Sequence, residues 1–308
     1  MKNRKHKILL LQILTPVAAM LIAMVLSAVL FVAIGKDPIL VYRTMIEFSL
    51  GRTDSIAALL FNATPLIFSG LAVAAGFKAG LFNIGVEGQY FMGAFLAALV
   101  GFGITGLPAW IPLPLAVLAA MAGAMIWAMI PIYLRIKRGV HEVISTIMLN
   151  YVAYSLIHYF IAVVFLDRNQ KIPEGLGSPL IRTPKFADTV LVPKLHGLAS
   201  LFGIELPNYA YLNWFFIVGL VVAAGLYYFI QYTTTGMEIR AVGGNPKAAE
   251  AAGIKPAKVY VIAFLLSGAI AGLTGLSHLL SYYDSMDLDF PKNLGFNGIA
   301  VALMGSNH

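Results

Sequence analysis

The sequence predicts an all-α protein that crosses a membrane several times. Of its 308 residues, 59% are hydrophobic and only 11% are charged, and the mean hydropathy is +0.83. Soluble domains have about 45–50% apolar and about 25% charged residues, so this chain has too few polar side chains to cover a water-facing surface. Its apolar residues fall into runs of about 20, the length at which a helix crosses roughly 30 Å of hydrocarbon. Together with the lack of cysteine, this composition excludes an ordinary soluble enzyme, a disordered chain and a disulfide-stabilised scaffold.

The first predicted span is Ile8–Ile34, which follows a basic amino terminus. The core of a signal peptide has only about 7–15 apolar residues, so this longer run predicts a retained helix. Six further runs predict spans at Ile56–Phe77, Leu81–Gly101, Leu113–Leu134, Val143–Leu166, Leu212–Gln231 and Val259–Ser281.

An eighth apolar stretch begins at Leu294, and the chain ends at His308. A helix of that length reaches only about 22 Å, which is less than the hydrocarbon thickness. We therefore expect one domain over residues 1–308 with about eight membrane segments, the last of them incomplete or re-entrant. We also expect the chain to be a truncated form of a longer protein.

The charges between the spans predict the orientation of the chain. With the amino terminus inside, the inner segments carry 12 basic and three acidic residues, a charge of +9, whereas the outer segments carry −1. Glu87, inside a span, contributes the remaining −1 to the net charge of +7. Cytoplasmic loops of membrane proteins are enriched in Lys and Arg, so we predict a cytoplasmic amino terminus. Because the basic residues lie between spans and not on one soluble face, their excess does not indicate nucleic-acid binding.

Two polar segments separate predicted spans. Residues 167–210 form a long outer loop with five prolines, and residues 232–257 form a shorter inner loop. In the inner loop, Asn245 suits a helix N-cap, Pro246 the first helical position and Gly253 the left-handed residue beyond the end. The alanines and the glutamate between them favour a helix of about two turns.

A helix this short is marginal in water and needs a surface to pack on. That surface is either the protein's own inner face or a soluble partner, and Arg240 just upstream is placed to pair with such a partner or with lipid phosphate. The predicted contact residues are Arg240, Asn245, Pro246, Ala248, Ala249, Glu250 and Gly253.

Polar side chains within the predicted spans are candidates for a solute path. Glu87 lies about 10 Å deep if its segment is helical, where a carboxylate is costly unless it faces a cavity or finds donors. Asn83 and Gln89 flank it, and Gly85 and Gly88 allow a local break in the helix. The alternative interpretation is that Glu87 satisfies a neighbouring loop or caps a broken helix.

A second polar track climbs the fifth predicted span at four-residue spacing, through Thr146, Asn150, Tyr154 and His158. Side chains at successive depths suit a solute path, but they also join neighbouring helices. Asn62 makes a similar case in the second span. The candidate pathway residues are therefore Asn62, Asn83, Glu87, Gln89, Asn150 and Tyr154.

The sequence contains no motif for catalysis or for cofactor binding. There is no phosphate-binding loop, no His-Glu-x-x-His zinc motif and no Gly-x-Ser-x-Gly nucleophile turn. We therefore expect a transport protein with no catalytic residue, no metal site and no cofactor of its own.

Three motifs stand in order along the chain, at residues 65–72 with 80–89, at residues 240–254 and at residues 298–305. They resemble the permease subunits of bacterial ABC importers, in the family that serves branched-chain amino acids, simple sugars and nucleosides. The second motif is similar to the cytoplasmic coupling loop of that family. The Asn-Ile-Gly-Val-Glu-Gly-Gln form at residues 83–89 is similar to its nucleoside branch.

This resemblance implies a type II-like importer permease fold in the bacterial inner or plasma membrane and the ATP-driven import of nucleosides. It implies three protein partners: an ABC ATPase subunit that binds ATP and Mg and receives the helix at residues 245–252, a second homologous permease subunit, and a substrate-binding lipoprotein or periplasmic protein. Import of a simple sugar (ribose or a galactoside) or of a branched-chain amino acid is the alternative within the family. An ion-coupled secondary carrier is disfavoured, because Glu87 is the one clearly intramembrane acid.

Overall fold

The computed structural model describes residues 2–170 and 179–305, with side chains from Val17 onward. These ranges are helical apart from loops, and two isolated β-bridges are the only extended pairings in them. The all-α prediction is therefore confirmed. The α-helices are α1 (Lys2–Ala33), α2 (Pro38–Leu50), α3 (Thr53–Lys78), α4 (Val86–Gly103), α5 (Pro112–Arg138), α6 (Glu142–Tyr159), α7 (His196–Leu201), α8 (Phe215–Tyr232), α9 (Thr234–Gly244), α10 (Pro246–Ala251), α11 (Pro256–Leu273), α12 (Leu276–Leu279) and α13 (Leu294–Met304). A π-helical turn, Phe160–Val164, continues α6, and a 3-10 turn lies at Asp188–Val190.

Within the described ranges, six helical segments are long and apolar enough to cross a membrane. They are Thr53–Lys78, Val86–Gly103, Pro112–Arg138, Glu142–Val164, Phe215–Tyr232 and Pro256–Leu279. Val17–Ala33 and Pro38–Leu50 make a seventh if they are counted as one span, bent by 118°. The eighth predicted element is the apolar helix α13, which has 11 residues. The expected eight segments thus correspond to six or seven spans and one short helix.

The chain divides into two compact units, residues 1–56 and residues 57–308. In the first unit, the hydroxyl groups of Ser27 in α1 and Tyr42 in α2 lie 2.7 Å apart. The Tyr42 ring also packs edge-on against Phe31. The second unit contains every candidate site residue. A single permease domain over the whole chain stays a prediction.

Small residues let α4, α5 and α11 pack closely in the second unit. A Cβ on Gly93 of α4 would lie 2.7 Å from the Ala120 carbonyl oxygen of α5, and a Cβ on Gly272 of α11 would lie 2.5 Å from the same atom. A Cβ on Gly268 of α11 would lie 2.9 Å from the Ala128 methyl group. Such close approach gives the dispersion contacts that join helices in a membrane, where burial of apolar surface gives little net drive.

The predicted inner loop is helical over most of its length. The helix expected after Asn245 is confirmed as α10, but α9 before it was not predicted, since its two threonines and three glycines have low helix propensity. Packing stabilises α9 instead: Ile239 and Val242 are fully buried. The cluster around them, called here the inner cluster, also contains Ala79, Leu81, Ala128, Ile132, Ile230, Ala249, Val259, Ala263 and Phe264.

The inner loop meets the end of α3 backbone to backbone. Gly80 has a φ of +71°, a left-handed conformation that suits glycine. A Cβ on Gly80 would lie 3.3 Å from the Gly243 Cα atom, and a Cβ on Gly243 would overlap the Lys78 carbonyl oxygen. No side chain therefore separates α9 from the turn that follows α3.

Replacing Gly243 with alanine is expected to destabilise the protein, because the new methyl group forces α9 away from the Lys78 carbonyl oxygen. Overpacking of this kind costs about 1–3 kcal/mol and lowers the thermal midpoint of the purified protein. Gly244→Ala is the matched control, since nothing lies within 4 Å of a Cβ at that neighbouring position. Equal midpoints for the two variants would contradict the close backbone contact.

Candidate functional site

The predicted third span is broken before it becomes helical. After the turn at Gly80, residues 81–85 are irregular, and α4 begins only at Val86. Irregular backbone at membrane depth is tolerated where protein satisfies its polar groups. Near the start of the break, the Glu142 carboxylate accepts a hydrogen bond from the Phe82 N–H at 3.3 Å. The chain then climbs beside α6.

An ion pair holds Glu142 in position. Its carboxylate is 3% exposed and pairs with the Arg135 guanidinium at the end of α5. That guanidinium lies 5.1 Å from the centre of the Tyr260 ring of α11. Glu142 therefore links the break to both α5 and α11, a role that the sequence analysis missed because no local pattern connects Phe82 with a residue 60 positions away.

Asn150 of α6 satisfies the next part of the break. Its amide nitrogen donates to the Ile84 carbonyl oxygen at 3.0 Å, and its amide oxygen accepts from the Gly88 N–H at 2.8 Å. Both ends of the amide are thus occupied by backbone, and the residue is 1% exposed.

Asn83 and Gln89 form a second polar pair inside the break. The amide of each donates to the amide oxygen of the other, at 3.1 and 3.2 Å. Asn83 also accepts from the Gly85 N–H at 3.0 Å and donates to the Ser267 hydroxyl at 2.8 Å. Ser267 in turn donates to the Ala72 carbonyl oxygen at 2.6 Å, so the pair joins α4 to α11 and α3. Ser267 is a site residue that the sequence analysis did not single out.

Glu87 is fully buried and accepts hydrogen bonds from the start of the last helix. Its Oε1 accepts from the Asn293 N–H at 2.6 Å, and its Oε2 accepts from the Gly295 N–H at 2.7 Å and the Phe296 N–H at 3.4 Å. These are N–H groups that a helix leaves free at its amino end. The carboxylate therefore caps α13, which is the alternative that the sequence analysis left open for Glu87.

Two tyrosines complete the contacts of Glu87. The Tyr154 hydroxyl donates to Oε1, and the Tyr90 hydroxyl lies 3.3 Å from the same oxygen and 2.5 Å from the Pro291 carbonyl oxygen. The carboxylate thus accepts from three backbone N–H groups and from the Tyr154 hydroxyl, whereas the single Tyr90 proton lies nearer the Pro291 carbonyl oxygen. Glu87 also lies in the first turn of α4, so the positive ends of two helix dipoles meet at its charge.

The level of this cap follows from Tyr154, which stands near the middle of the span Glu142–Val164. The segment 280–293 runs from the predicted outer end to this level without forming a helix. Phe290 within it is 1% exposed and packs edge-on against Phe91. α13 is therefore a half-helix that begins inside the span region, as helices at the solute sites of transporters often do.

The remaining predicted pathway residues differ in exposure. Tyr154 is partly buried, whereas Asn62 is exposed and donates to the Ala58 carbonyl oxygen of its own helix at 2.8 Å. Asn83, Glu87, Gln89 and Asn150 are each at most 1% exposed. The assignment of these six residues to a substrate pathway stays a prediction, and the described contacts support a structural role for the four buried ones.

The predicted outer loop packs against the segment before α13, although residues 171–178 of it lie outside the described residues. Arg182 forms an antiparallel bridge with Asp287, and the Lys185 ammonium pairs with the Asp284 carboxylate. Burial alone would raise the pKa of Asp284, but the hydrogen bond and charge of Lys185, with the charge of Arg182, bring it below its usual value. This loop therefore stays tied to Asp284 in neutral solution.

The inner end presents α10 as its exposed helix. Asn245 accepts from the Lys247 and Ala248 N–H groups at 3.1 and 3.2 Å, and Gly253 has a φ of +87°, as predicted. Ala249 is buried in the inner cluster, whereas the residues around it are exposed, namely Pro246, Lys247, Ala248, Glu250 and Ala251. Arg240 donates to the Ile230 carbonyl oxygen and, at 3.1 Å, to the Gln231 side chain, so it closes the end of α8.

The described side chains form no group of three or more His, Asp or Glu residues that could hold a metal ion. The expectation that the chain binds no cofactor of its own stays a prediction. The buried polar groups described above satisfy the broken segment and cap α13.

Comparison with known proteins identifies the family. The profile described as "Branched-chain amino acid transport system / permease component" matches residues 55–308. The Bacillus subtilis guanosine ABC transporter permease protein NupP is 35% identical over 96% of this chain and 80% of its own length. The Haloferax volcanii glucose ABC transporter permease protein TsgB13 is 34% identical over 95% of this chain and 74% of its own. The Lactococcus lactis nucleoside ABC transporter permease protein NupB is 30% identical over all of this chain and 80% of its own.

No solved structure matches the chain. The family match begins in α3 and includes the broken segment, α10 and α13. It therefore covers the half-helix α13 with its Glu87 cap, called here the half-helix site, and the exposed helix α10. The chain belongs to the family of permease components of branched-chain amino acid transport systems, and it is a multi-span membrane protein of the ABC transporter permease type.

Proposed function

We propose that this chain is the membrane-spanning subunit of an ABC importer for nucleosides, powered by ATP hydrolysis on a separate subunit. The observation that carries the proposal is α10. It is a capped helix with one buried residue, Ala249, and an exposed outer face that includes Ala248 and Glu250. Such a helix offers an ATPase subunit a surface to bind and displace.

A continuous set of contacts runs from α10 to the half-helix site. Ala249 packs in the inner cluster with Val242 of α9. At the end of α9, Gly243 touches the backbone of Gly80, at the start of the broken segment. The broken segment leads directly to Glu87, which holds α13. Movement of α10 would reach α13 along this route, as alternating access requires.

The nucleoside assignment is supported by two relatives, whose names state guanosine and nucleoside transport. The Asn-Ile-Gly-Val-Glu-Gly-Gln motif at residues 83–89, which is similar to the nucleoside branch of the family, supports the same assignment. Glucose is the second candidate, because the glucose permease is 34% identical to this chain. Both substrates are neutral and carry hydroxyl groups, so the heterocyclic base is what separates the two proposals.

The proposed partners follow from the family. They are an ATPase subunit that carries ATP and Mg, a second related permease subunit, and a substrate-binding lipoprotein or periplasmic protein that meets the outer loop. The occurrence of two guanosine permease proteins, NupP and NupQ, in Bacillus subtilis supports a paired permease. The proposed location is the bacterial inner or plasma membrane with a cytoplasmic amino terminus.

Uptake of radiolabelled guanosine by cells that produce the whole transporter tests the proposal. We expect uptake above cells without this chain, competition by unlabelled adenosine, and no competition by ribose, glucose or leucine. Competition by glucose but not by adenosine would replace the nucleoside proposal with the sugar one. Leucine competition would favour the amino-acid branch.

The energy source is tested separately in membrane vesicles loaded with ATP. An ABC importer is expected to retain uptake when an uncoupler abolishes ion gradients and to lose it when ATP is replaced by a non-hydrolysable analogue. The reverse pattern would favour an ion-coupled carrier and overturn the proposed role of α10.

A further inference from the structure

The first residues of α13 and the segment before it expose polar side chains beside the middle of α6. Lys292, Asn293 and Asn297 are exposed, and Asn293 and Asn297 lie one turn apart. His158 of α6 is partly buried, and its Nε2 atom has no hydrogen-bond partner among the described residues. Lys292, Asn293, Asn297 and His158 are called the polar face below.

The level of the polar face follows from the Glu87 cap. The Asn293 N–H bonds to the same Glu87 oxygen that accepts from Tyr154. Tyr154 stands near the middle of a 23-residue span, and His158 follows it by one turn. The polar face therefore lies between the middle and the outer part of the span region, and not at its inner end.

The side chains of this face are not used to hold the fold together. Among the residues that the structure describes, the Lys292 ammonium and the amides of Asn293 and Asn297 have no hydrogen-bond or ion-pair partner. This differs from Asn83, Gln89 and Asn150, whose amides are all occupied. Exposed lysine and asparagine at this level are costly against lipid, and intramembrane polar groups generally face the bundle interior or water.

Exposed side chains elsewhere on α6 have the opposite character. Ile144 and Met148 are 60% and 64% exposed and apolar, as expected of residues that face lipid tails. They lie lower on α6 than Tyr154. Val163 and Val164, in the π-helical turn beyond His158, are also apolar and are 51% and 52% exposed, so the exposed polar side chains belong to residues 292–297 and not to a polar level of α6.

We propose that the polar face is the part of this subunit that the substrate passes and contacts, with a hydrated path between it and the second permease subunit. This inference rests on the proposed import function and moves the pathway from the buried residues of the broken segment to Lys292, Asn293, Asn297 and His158. The chemical class that fits is a neutral solute with carbonyl, amino and hydroxyl groups. Guanosine presents all three to the ammonium and amide groups.

The lack of cysteine allows a direct test in the complete transporter. Lys292→Cys and Asn297→Cys are made singly, and each assembled transporter is treated with a membrane-impermeant, water-soluble thiosulfonate reagent before this chain is isolated. Met148→Cys is the control for an exposed position on an apolar surface. We expect both test cysteines to react, the control not to react, and guanosine to slow the reaction at Asn297→Cys.

Test cysteines that react no faster than Met148→Cys in an assembled, folded transporter would overturn the hydrated path. Reaction that guanosine does not slow, in a transporter shown to take up guanosine, would overturn substrate contact. If the wild-type transporter takes up no guanosine while the test cysteines react, the proposed substrate fails and the hydrated path stands.

Transport kinetics give a second measurement that does not depend on labelling. Loss of one hydrogen bond to a neutral group corresponds to about 2- to 10-fold in affinity, so Asn297→Leu is expected to raise KM for guanosine by that factor with normal assembly. Leu303→Ala, at an exposed apolar position of the same helix, should leave KM unchanged. Equal KM values for Asn297→Leu and the wild type would contradict substrate contact at Asn297.

Discussion

Replacing Glu87 with glutamine is expected to destabilise the protein by about 3 kcal/mol and to reduce uptake by at least about tenfold. The amide keeps one acceptor oxygen, but its NH2 group then faces backbone N–H donors of Asn293 or of Gly295 and Phe296. Those donors lose their acceptor inside the protein, and the charge that meets the positive end of α13 disappears. In detergent, the thermal midpoint of the purified chain should fall by about 5 °C.

The control for this variant is Glu47→Gln in α2. Glu47 pairs with Arg43 on a surface where both side chains are more than half exposed, so its loss should change stability by less than about 1 kcal/mol. A Glu87→Gln protein with an unchanged midpoint and normal uptake would contradict the cap, because the glutamine NH2 group cannot accept from the N–H groups at the start of α13.

Glu250→Pro is expected to abolish coupling, with uptake reduced by more than about tenfold, while the chain still inserts into the membrane. Proline inside a helix removes a hydrogen bond and clashes with the preceding turn, at a cost of about 3 kcal/mol. A helix of six residues such as α10 has no other turn to compensate. Its buried anchor, Ala249, would then leave the inner cluster.

Glu250→Ala separates the shape of α10 from its charge. Alanine preserves the helix, so this variant should retain most of the uptake unless the carboxylate itself pairs with the ATPase subunit. The amount of ATPase subunit that co-purifies with each variant is the second measurement. Glu250→Pro with normal ATP-dependent uptake would remove α10 from the coupling role.

Local sequence determined α10 closely, and for a physical reason. Its cap, its first helical residue and its left-handed end are set by Asn245, Pro246 and Gly253, each acting within a few residues of chain. The break before α4 was foreseen in the same way from Gly85 and Gly88. Composition and run length were enough for the all-α class and for most of the spans.

Long-range partners could not be predicted from the sequence. About 200 residues of chain separate Glu87 from Asn293, whose N–H group donates to it. No local pattern in the sequence connects these two residues. The sequence indicated a costly carboxylate and left open whether a substrate or the protein would satisfy it. Likewise, the stability of α9 comes from burial of Ile239 and Val242, which propensity does not record.

The polar face was missed for a related reason. Lys292 was counted only as an outer charge, Asn297 belonged to an apolar stretch judged by its length, and Asn293 lies just before that stretch. Only the distance from Glu87 to the Asn293 N–H places these side chains beside the middle of α6. Their unusual level is a property of the folded chain.

The Glu87 cap also limits how the subunit can move. The amino ends of α4 and α13 share the Glu87 carboxylate, so sliding α13 away from α4 would leave that carboxylate and three N–H groups without partners in a medium of low dielectric constant. α4 and α13 are therefore expected to travel as one rigid body through the transport cycle. The hinges are expected on either side of them, in residues 79–85 and 280–292, which form turns and loops and no continuous helix.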